Sequence, residues 1–189
     1  MCNRIDIINY IIKNKKYKSY LEIGIKKGYT FKSVTCDNKD GVDPKPKGIK
    51  VKYKMISDKF FNIISEDQKY DIVFIDGLHE KEQVLRDVYN SLNHLSDGGT
   101  IVMHDCSPET KRLSLKDRCY NVWEAIVVLR QENNLNVRVI DVDHGLGIVS
   151  IGSQEKFEIP DDFDNTYEYL DNNRKKILNL ITEEEFKNE

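Results

Sequence analysis

Four ionisable side chains stand at the ends of two apolar segments, where they could exchange protons with a ligand or hold a cation. They are Asp76, His79, His104 and Asp105. The segments 70–76 and 100–105 are apolar runs that end in polar residues, a pattern typical of buried parallel strands. Since ligands bind at the carboxyl edge of an open parallel sheet, we predict that the four side chains share one site there.

A second candidate site is a glycine turn near the start of the sequence. Residues 19–23 form a short apolar strand that carries Glu22, and Gly24 and Gly28 follow it. Gly24 has no Cβ and would let a ligand lie against the main chain. The spacing Glu-x-Gly-x-x-x-Gly differs from the Gly-x-Gly-x-x-Gly of dinucleotide enzymes, whose glycines let a pyrophosphate approach a helix. A cofactor without phosphate groups fits this turn better.

Asp43 ends the short segment 41–43, about twenty residues beyond the turn, where comparable folds bind a ribose with a carboxylate. Each signal alone has an ordinary structural explanation, because a glycine can simply make a turn and an Asp-Pro pair can end a strand. Together they favour an adenosine-type ligand. A third short strand is predicted to end near Met55, ahead of Ser57 and Asp58.

These segments resemble the successive motifs of the class I S-adenosylmethionine-dependent methyltransferases. The matching stretches are 20–24, 41–44, 56–61, 74–80 and 98–105. The resemblance is greatest to a small, Methyltransferase-24-like branch associated with surface polysaccharide and other glycan pathways. It implies an α/β fold with a doubly wound, Rossmann-like sheet, mostly parallel, in strand order 3-2-1-4-5-7-6 with an antiparallel closing hairpin. It also implies methyl transfer to an oxygen, with a sugar hydroxyl as the favoured acceptor.

The same resemblance assigns roles to individual residues. The residues expected to bind S-adenosylmethionine are Glu22, Gly24, Gly28, Asp43, Ser57, Asp58 and Asp76. His79 and His104 are the candidate bases that remove the hydroxyl proton, and Asp105 orients them or ligates a metal. Related metal-dependent enzymes hold a divalent ion with the equivalents of Asp76 and Asp105. Because Cys106 replaces a further oxygen ligand, we expect at most a weakly held magnesium ion.

Two other functions stay open at this point. A non-catalytic, methyltransferase-like module could bind a partner or the cofactor without turnover, although the acidic and histidine residues above argue against it. An NAD-dependent sugar-modifying enzyme is disfavoured, because the sequence lacks the Gly-x-Gly-x-x-Gly turn and a Tyr-x-x-x-Lys pair. For Asp58, a role as a helix N-cap is as good an explanation as contact with adenine.

Composition excludes further classes of function. The 189 residues are 39% hydrophobic and 32% charged, with a formal net charge of −3, as in a soluble globular protein. We predict no membrane span, since no apolar run approaches roughly eighteen residues, and no secretory signal. We also predict no binding to nucleic acid and interpret the lysine-rich stretches 13–18 and 45–54 as solvated surface. The four cysteines lack zinc-site spacing and indicate free thiols in a reducing cytoplasm.

A single domain, 1–189, would position these residues. Isoleucines at helical spacing predict an N-terminal helix over 1–14 that covers an edge of the sheet as packing or as a lid. The polar loop 106–119 follows the predicted site and is interpreted as a substrate lid. Segments 137–143 and 146–151 predict the closing hairpin.

Helical patterns fill the remaining chain. One helix is predicted over about 29–36, and another with a buried face formed by Phe60, Phe61, Ile63 and Ile64. Trp123 is predicted to lie in the core. The tail, about 161–189, is predicted to be helical, with a capping box at 182–185. The predicted partner is a small-molecule or glycan acceptor, and a homo-oligomer is left open.

Overall fold

The fold is built on a sheet of seven strands flanked by seven helices, within residues 2–188, which the computed structural model describes. The strands are β1 (Ser19–Ile23), β2 (Asn38–Val42), β3 (Tyr70–Ile75), β4 (Leu95–Met103), β5 (Leu135–Ile140), β6 (Leu146–Ile151) and β7 (Leu180–Ile181). The helices are α1 (Arg4–Lys15), α2 (Tyr29–Ser33), α3 (Ser57–Ile63), α4 (Lys81–Asn93), α5 (Val122–Leu129), α6 (Tyr167–Leu178) and α7 (Glu183–Lys187). In that part of the chain, no helix is both long and apolar enough to cross a membrane.

The sheet has the order β2-β1-β3-β4-β6-β5-β7. Strands β1 to β4 pair in parallel, while β6 pairs antiparallel with both β4 and β5. The apolar residues of β3 and β4 are buried because helices cover both faces of the sheet. This arrangement confirms the predicted α/β class and the antiparallel closing hairpin.

The edges of the sheet differ from the predicted order. The strand predicted near Met55 is wrong: only a single bridge joins Val42 to Tyr53 there, after a segment that Pro44 and Pro46 keep out of the ladder. At the opposite edge, β7 adds a short strand parallel to β5 that the sequence did not predict. The order of the six strands between these edges is the predicted one.

Helix α1 covers the middle of one face of the sheet. Its buried isoleucines pack with Tyr20, Phe74 and Val102 on the three central parallel strands. The prediction that this helix covers an edge is therefore wrong, because the apolar stripe matches the open central face of the sheet. Asn3 caps the helix: its side chain accepts the backbone N–H of Ile5 at 2.8 Å.

The other helices largely follow the sequence pattern. Trp123 is buried, and Thr182 forms the predicted capping box with Glu185. Two predictions about α3 are wrong. Ile63 is 62% exposed, because the buried face of this short helix is already filled by its two phenylalanines, and Asp58 lies within the first turn and caps nothing.

The turn between β5 and β6 is fastened to the end of β4. Asp143, His144 and Gly145 all have positive φ angles. The N–H of Cys106 donates to the carbonyl of Gly145 at 3.0 Å, and the N–H of Ser107 donates to that of His144 at 2.7 Å. A Cβ on Gly145 would stand 2.4 Å from the Cβ of Ser107. The hairpin turn is thus held beside the polar end of β4.

The four cysteines are free, as predicted. Cys106 and Cys119 are buried near the end of β4, and Cys2 and Cys36 are half-buried.

Candidate active site

A cavity of about 900 Å³ opens at the carboxyl edge of the parallel strands. Of the residues predicted to form the site, its lining includes Glu22, Gly24, Gly28, Asp43, Ser57, Asp76, His79, His104 and Asp105. Asp58 does not line it. The Asp58 side chain instead accepts from Gln83 at 3.1 Å and lies 3.5 Å from Arg86.

Gly24 lets the first strand pass close to the end of β3. Its φ is +92°, and a Cβ here would stand 2.1 Å from the carbonyl oxygen of Asp76. From the sequence, the missing Cβ of Gly24 was predicted to let a ligand lie against the main chain. The structure gives a different physical reason, because the missing Cβ makes room for the backbone of Asp76 and Gly77.

Asp43 fastens two loops at one wall of the cavity. Its Oδ2 accepts the backbone N–H of Lys26 at 2.7 Å, and its Oδ1 accepts that of Lys45 at 2.6 Å. The side chain is therefore fixed in orientation just beyond β2 and is 8% exposed. Since each carboxylate oxygen can accept more than one hydrogen bond, Asp43 can still bind hydroxyl groups of a ligand.

Glu22 is a buried carboxyl group at the end of β1. Burial raises its pKa to about 8, although a hydrogen bond donated by the Tyr20 hydroxyl partly opposes the rise. At neutral pH the side chain is therefore largely protonated and neutral. In that state it can donate as well as accept a hydrogen bond at the cavity wall.

A polar network that the sequence analysis missed lines the wall near α3. The Nε2 of Gln83 donates to Ser57 Oγ at 3.2 Å and to Asp87 Oδ1 at 3.0 Å. Asp87 is 1% exposed, and burial raises its pKa to about 6. Gln83 and Asp87 lie one turn apart on the polar side of α4, so periodicity alone made them look like solvent-facing residues.

Two histidines and two aspartates form a compact cluster at the end of β3 and β4. His79 Nε2 lies 3.3 Å from Asp76 Oδ1, and His79 Nδ1 lies 3.1 Å from Asp105 Oδ2. His104 Nδ1 lies 3.2 Å from Asp105 Oδ1 and 3.4 Å from Asp76 Oδ1. The structure brings these four side chains together at one edge of the sheet, and their catalytic role stays a prediction.

The other ring nitrogen of His104 faces residues outside the predicted motifs. Its Nε2 lies 2.5 Å from Arg4 Nη1, and the same Nη1 donates to Asp143 Oδ2 at 2.7 Å. A guanidinium can only donate, so this contact requires a lone pair on Nε2 and a proton on Nδ1. Arg4 also lines the cavity, so α1 contributes to the site as well as to packing.

The cluster favours charged imidazolium and carboxylate groups. Burial opposes charge on His104, but the surrounding carboxylates outweigh it and raise the pKa of this histidine well above its ordinary value. The pKa of His79 is raised in the same way, mainly by Asp76 against the effect of burial. Burial would raise the pKa of Asp76 and of Asp105, yet the two imidazoles lower both. The Arg4 contact at Nε2 fits only the neutral ring and so opposes the effect of the carboxylates on His104, and we assign the clearer preference for positive charge to His79.

The cluster also fits a metal ion in part. Asp76, His79 and Asp105 each offer one ligand atom, and these atoms lie within 4.8 Å of one another. The sequence analysis named the two aspartates, and the structure adds an imidazole to the set. Carboxylates suit magnesium, calcium and manganese, whereas imidazole suits zinc, iron, nickel and copper. Cys106, by contrast, is fully buried and its thiol contacts main-chain carbonyls, so it is no ligand here.

Arg4 and Asp143 were not predicted as site residues. Arg4 begins a helix whose docking depends on tertiary packing, and no motif marks it. Asp143 lies in a turn that the sequence did predict, but the fastening of that turn to the end of β4 is a long-range contact. The signal that could have found Asp143 is the Asp-His-Gly sequence, which suits a run of left-handed residues.

With this geometry established, the chain can be compared with known proteins. Residues 21–106 match the family model described as a methyltransferase domain. This segment runs from β1 to the end of β4 and includes every predicted site residue. A search of curated proteins finds no significant match.

Solved structures share the fold at low sequence identity. The methyltransferase PaMTH1 from Podospora anserina, bound to S-adenosylhomocysteine, is 16% identical, with a TM-score of 0.61 over 81% of this chain and 80% of that one. An O-methyltransferase from Bacillus cereus, with the same ligand, is 13% identical, with a TM-score of 0.63 over 79% and 80%. The O-methyltransferase TomG from Streptomyces achromogenes is 11% identical, with a TM-score of 0.58 over 78% and 79%.

At these identities the structural likeness defines the fold alone. The methyltransferase-domain match covers residues 21–106. The use of S-adenosylmethionine by this chain, its acceptor and the roles of single residues are matters of proposal.

Proposed function

We propose that this enzyme transfers a methyl group from S-adenosylmethionine to a hydroxyl group of a small-molecule or glycan acceptor. The observation that carries the proposal is the convergence of Asp76, His79, His104 and Asp105 beside the cavity that Gly24 and Asp43 line. An oxygen nucleophile needs proton removal as it attacks, and this cluster offers the groups for it.

The cavity suits the cofactor in both size and chemistry. Its volume of about 900 Å³ lies within the range of small-molecule sites. In the proposal, Asp43 accepts the ribose hydroxyls, and Ser57 with Asp87 lies at the adenine end. Glu22 and Asp76 face the amino-acid end. Bound S-adenosylmethionine supplies an electrophilic methyl group on a sulfonium, which leaves as a neutral thioether when an oxygen attacks.

His79 is the proposed base. The His79 side chain is 30% exposed, against 7% for His104, so the acceptor can reach it. His104 lies deeper, and the Arg4 guanidinium 2.5 Å from its Nε2 takes the lone pair that a base would need. As the hydroxyl oxygen forms its bond to the methyl carbon, its proton passes to the neutral form of His79, so methyl transfer should speed up as pH rises through the raised pKa of this histidine. Asp105 then stabilises the charged ring.

A divalent ion is a further part of the proposal. Asp76, His79 and Asp105 would hold it, in which case His79 would not be the base, and the ion would lower the pKa of the acceptor hydroxyl and orient it. Because the set has only two carboxylates, we expect weak binding of magnesium, and methyl transfer that survives EDTA in part. Complete loss with EDTA, restored by manganese or magnesium, would instead make the metal essential.

A sugar hydroxyl is our first choice of acceptor, which rests on the resemblance to the glycan-associated branch. An acceptor screen with methyl-labelled S-adenosylmethionine tests the function. We expect label in a product that is stable to base, as an ether is. Binding of S-adenosylhomocysteine without transfer to any hydroxyl compound would favour a non-catalytic module. A cytoplasmic location and a homo-oligomer also stay predictions.

A further inference from the structure

Two loops that contact each other at one wall of the cavity carry exposed lysines, of which Lys26 and Lys27 line the cavity itself. This basic rim consists of the exposed side chains of Lys26, Lys27, Lys45, Lys47, Lys50 and Lys54. The segment 26–54 contains nine lysines and three aspartates, in a chain whose net charge is −3. Positive charge is therefore concentrated on this part of the molecule, and the remainder is acidic.

Main-chain contacts hold the basic rim in place. The Asp43 carboxylate binds the N–H groups of Lys26 and Lys45, and the N–H of Lys47 donates to the carbonyl of Lys26 at 2.7 Å. The side chain of Ile49 fills the space beside Gly28, 2.4 Å from where a Cβ would stand. The two lysine-bearing loops thus form one wall, and Lys26 and Lys27 line the cavity itself.

The lysines of the basic rim have no acidic partner among residues 2–188, in contrast to other lysines of the chain. Lys18 pairs with Asp37 at 3.1 Å, and Lys52 pairs with Asp40 at 2.9 Å. These pairs and the main-chain contacts of Asp43 occupy all three aspartates of the segment. The basic rim therefore carries uncompensated charge, which an anion would relieve.

Exposed apolar side chains line the cavity together with Lys26, Lys27 and the ionisable cluster. Tyr29 is 71% exposed, Leu78 55% and Ile56 48%, and all three line the same cavity. Leu78 directly precedes His79 in the sequence. A bound molecule can therefore rest on apolar groups, with an anionic end at the lysines and a hydroxyl at His79.

We propose that the acceptor carries a phosphate or diphosphate group, which the basic rim binds. This inference rests on the proposed function and names its substrate class. S-adenosylmethionine has no phosphate, so the cofactor leaves these charges unused. Lysine binds phosphate as a mobile point charge, which suits recognition at a cavity mouth. A small molecule fits better than a membrane or nucleic acid, because two of the lysines line a concave wall rather than an outer face.

The test uses inorganic pyrophosphate as a probe on the protein saturated with S-adenosylhomocysteine, so that the cofactor cavity is filled. Calorimetry is performed on the wild type and on a variant with Lys26→Gln, Lys27→Gln, Lys45→Gln and Lys47→Gln. The matched control replaces four exposed lysines elsewhere, Lys13→Gln, Lys16→Gln, Lys175→Gln and Lys176→Gln. Both variants lose the same charge, so only the location differs.

We expect pyrophosphate to bind the wild type and the control with affinities within about twofold, and the rim variant at least about tenfold more weakly. High salt should weaken binding, because it reduces the Debye length below roughly 10 Å and screens the attraction between the lysines and pyrophosphate. Equal pyrophosphate affinity in the two variants, or none in the wild type, overturns the proposal. Rim-dependent binding to phosphatidylglycerol vesicles or to RNA in place of pyrophosphate also overturns it, in favour of a macromolecular surface. Failure to bind S-adenosylhomocysteine would instead contradict the proposed function itself.

Discussion

His79 combines access to the cavity with contact to two carboxylates. Its Nε2 lies 3.3 Å from Asp76, its Nδ1 donates to the carbonyl oxygen of Arg118 at 2.5 Å and lies 3.1 Å from Asp105, and its side chain is 30% exposed. His104 has the same carboxylate neighbours but lies deeper and is locked by Arg4. One histidine is therefore suited to exchange a proton with an acceptor, and the other to order the cluster.

Replacing His79 should affect chemistry more than binding. We expect His79→Ala to slow the single-turnover rate of methyl transfer by about a hundred- to ten-thousand-fold, the usual contribution of a general base. Affinity for S-adenosylhomocysteine, measured by calorimetry, should change by less than about threefold. Wild-type turnover in this variant would assign proton removal to Asp105 or to water.

Glu22 should make stability depend on pH. Its folded-state pKa is about 8 against an ordinary value of 4.5, so between these values the folded protein binds more protons than the unfolded chain. Its effect is therefore to lower stability as pH rises through this window. The amide oxygen of Glu22→Gln can still accept from Tyr20. As pH rises from 5 to 8, the free energy of unfolding of this variant should increase relative to that of the wild type by on the order of a few kcal/mol.

Urea unfolding of both proteins without ligand, across that pH range, measures the difference. A constant difference between wild type and Glu22→Gln at every pH would show that Glu22 has an ordinary pKa in the folded state.

Among the site residues, the sequence predicted those that end strands. Asp76, His104 and Asp105 meet because parallel strands end at one edge, whatever the details of packing. Arg4 and Asp143 could not be predicted, since each reaches the cluster through the docking of another element. Nor does spacing reveal that Asp58 turns away from the cavity while Ser57 faces it.

At the scale of elements, α1 connects stability to the site. The helix buries its isoleucines on the sheet, and its first residue, Arg4, contacts His104 and Asp143. The cap at Asn3 fixes this first turn, and the Asp6 carboxylate accepts the backbone N–H of Asn3 at 3.0 Å. Loosening the cap should therefore disturb the cluster.

Asn3→Ala tests this connection. We expect it to lower the free energy of unfolding by about 0.5–2 kcal/mol, the cost of an N-cap, and to reduce methyl transfer at temperatures where the protein stays folded. Thr182→Ala is the matched control, because it breaks the equivalent capping box of α7. Equal activity in the two variants would mean that the first turn of α1 serves packing alone.

Element types were predictable because periodicity and capping are local. The capping box at Thr182 and the hairpin after residue 135 needed no long-range information. The prediction of a third strand near Met55 is wrong because Pro44 and Pro46 have no backbone N–H to donate to a strand ladder before Tyr53. Strand β7 is two residues long and depends on its neighbour β5 for its existence, so it has no signature of its own.

At the scale of the whole molecule, the basic rim and the ionisable cluster lie on different loops of the cavity wall. The loops after β1 and β2 carry the basic rim, and the ends of β3 and β4 carry the ionisable cluster. A cofactor lying across the carboxyl edge would have its ribose near Asp43 and its methyl group near His79. An acceptor could then contact both regions at once.

The central claim is that the cavity binds S-adenosylmethionine and its product rather than a dinucleotide. Thermal unfolding of the purified protein with S-adenosylhomocysteine and, separately, with NAD at equal concentration tests it most directly. The account predicts a rise in melting temperature that saturates with S-adenosylhomocysteine and a smaller rise with NAD, because the turn 24–28 has no glycine pattern for a pyrophosphate and only the basic rim would contact it. A larger stabilisation by NAD than by S-adenosylhomocysteine would contradict it.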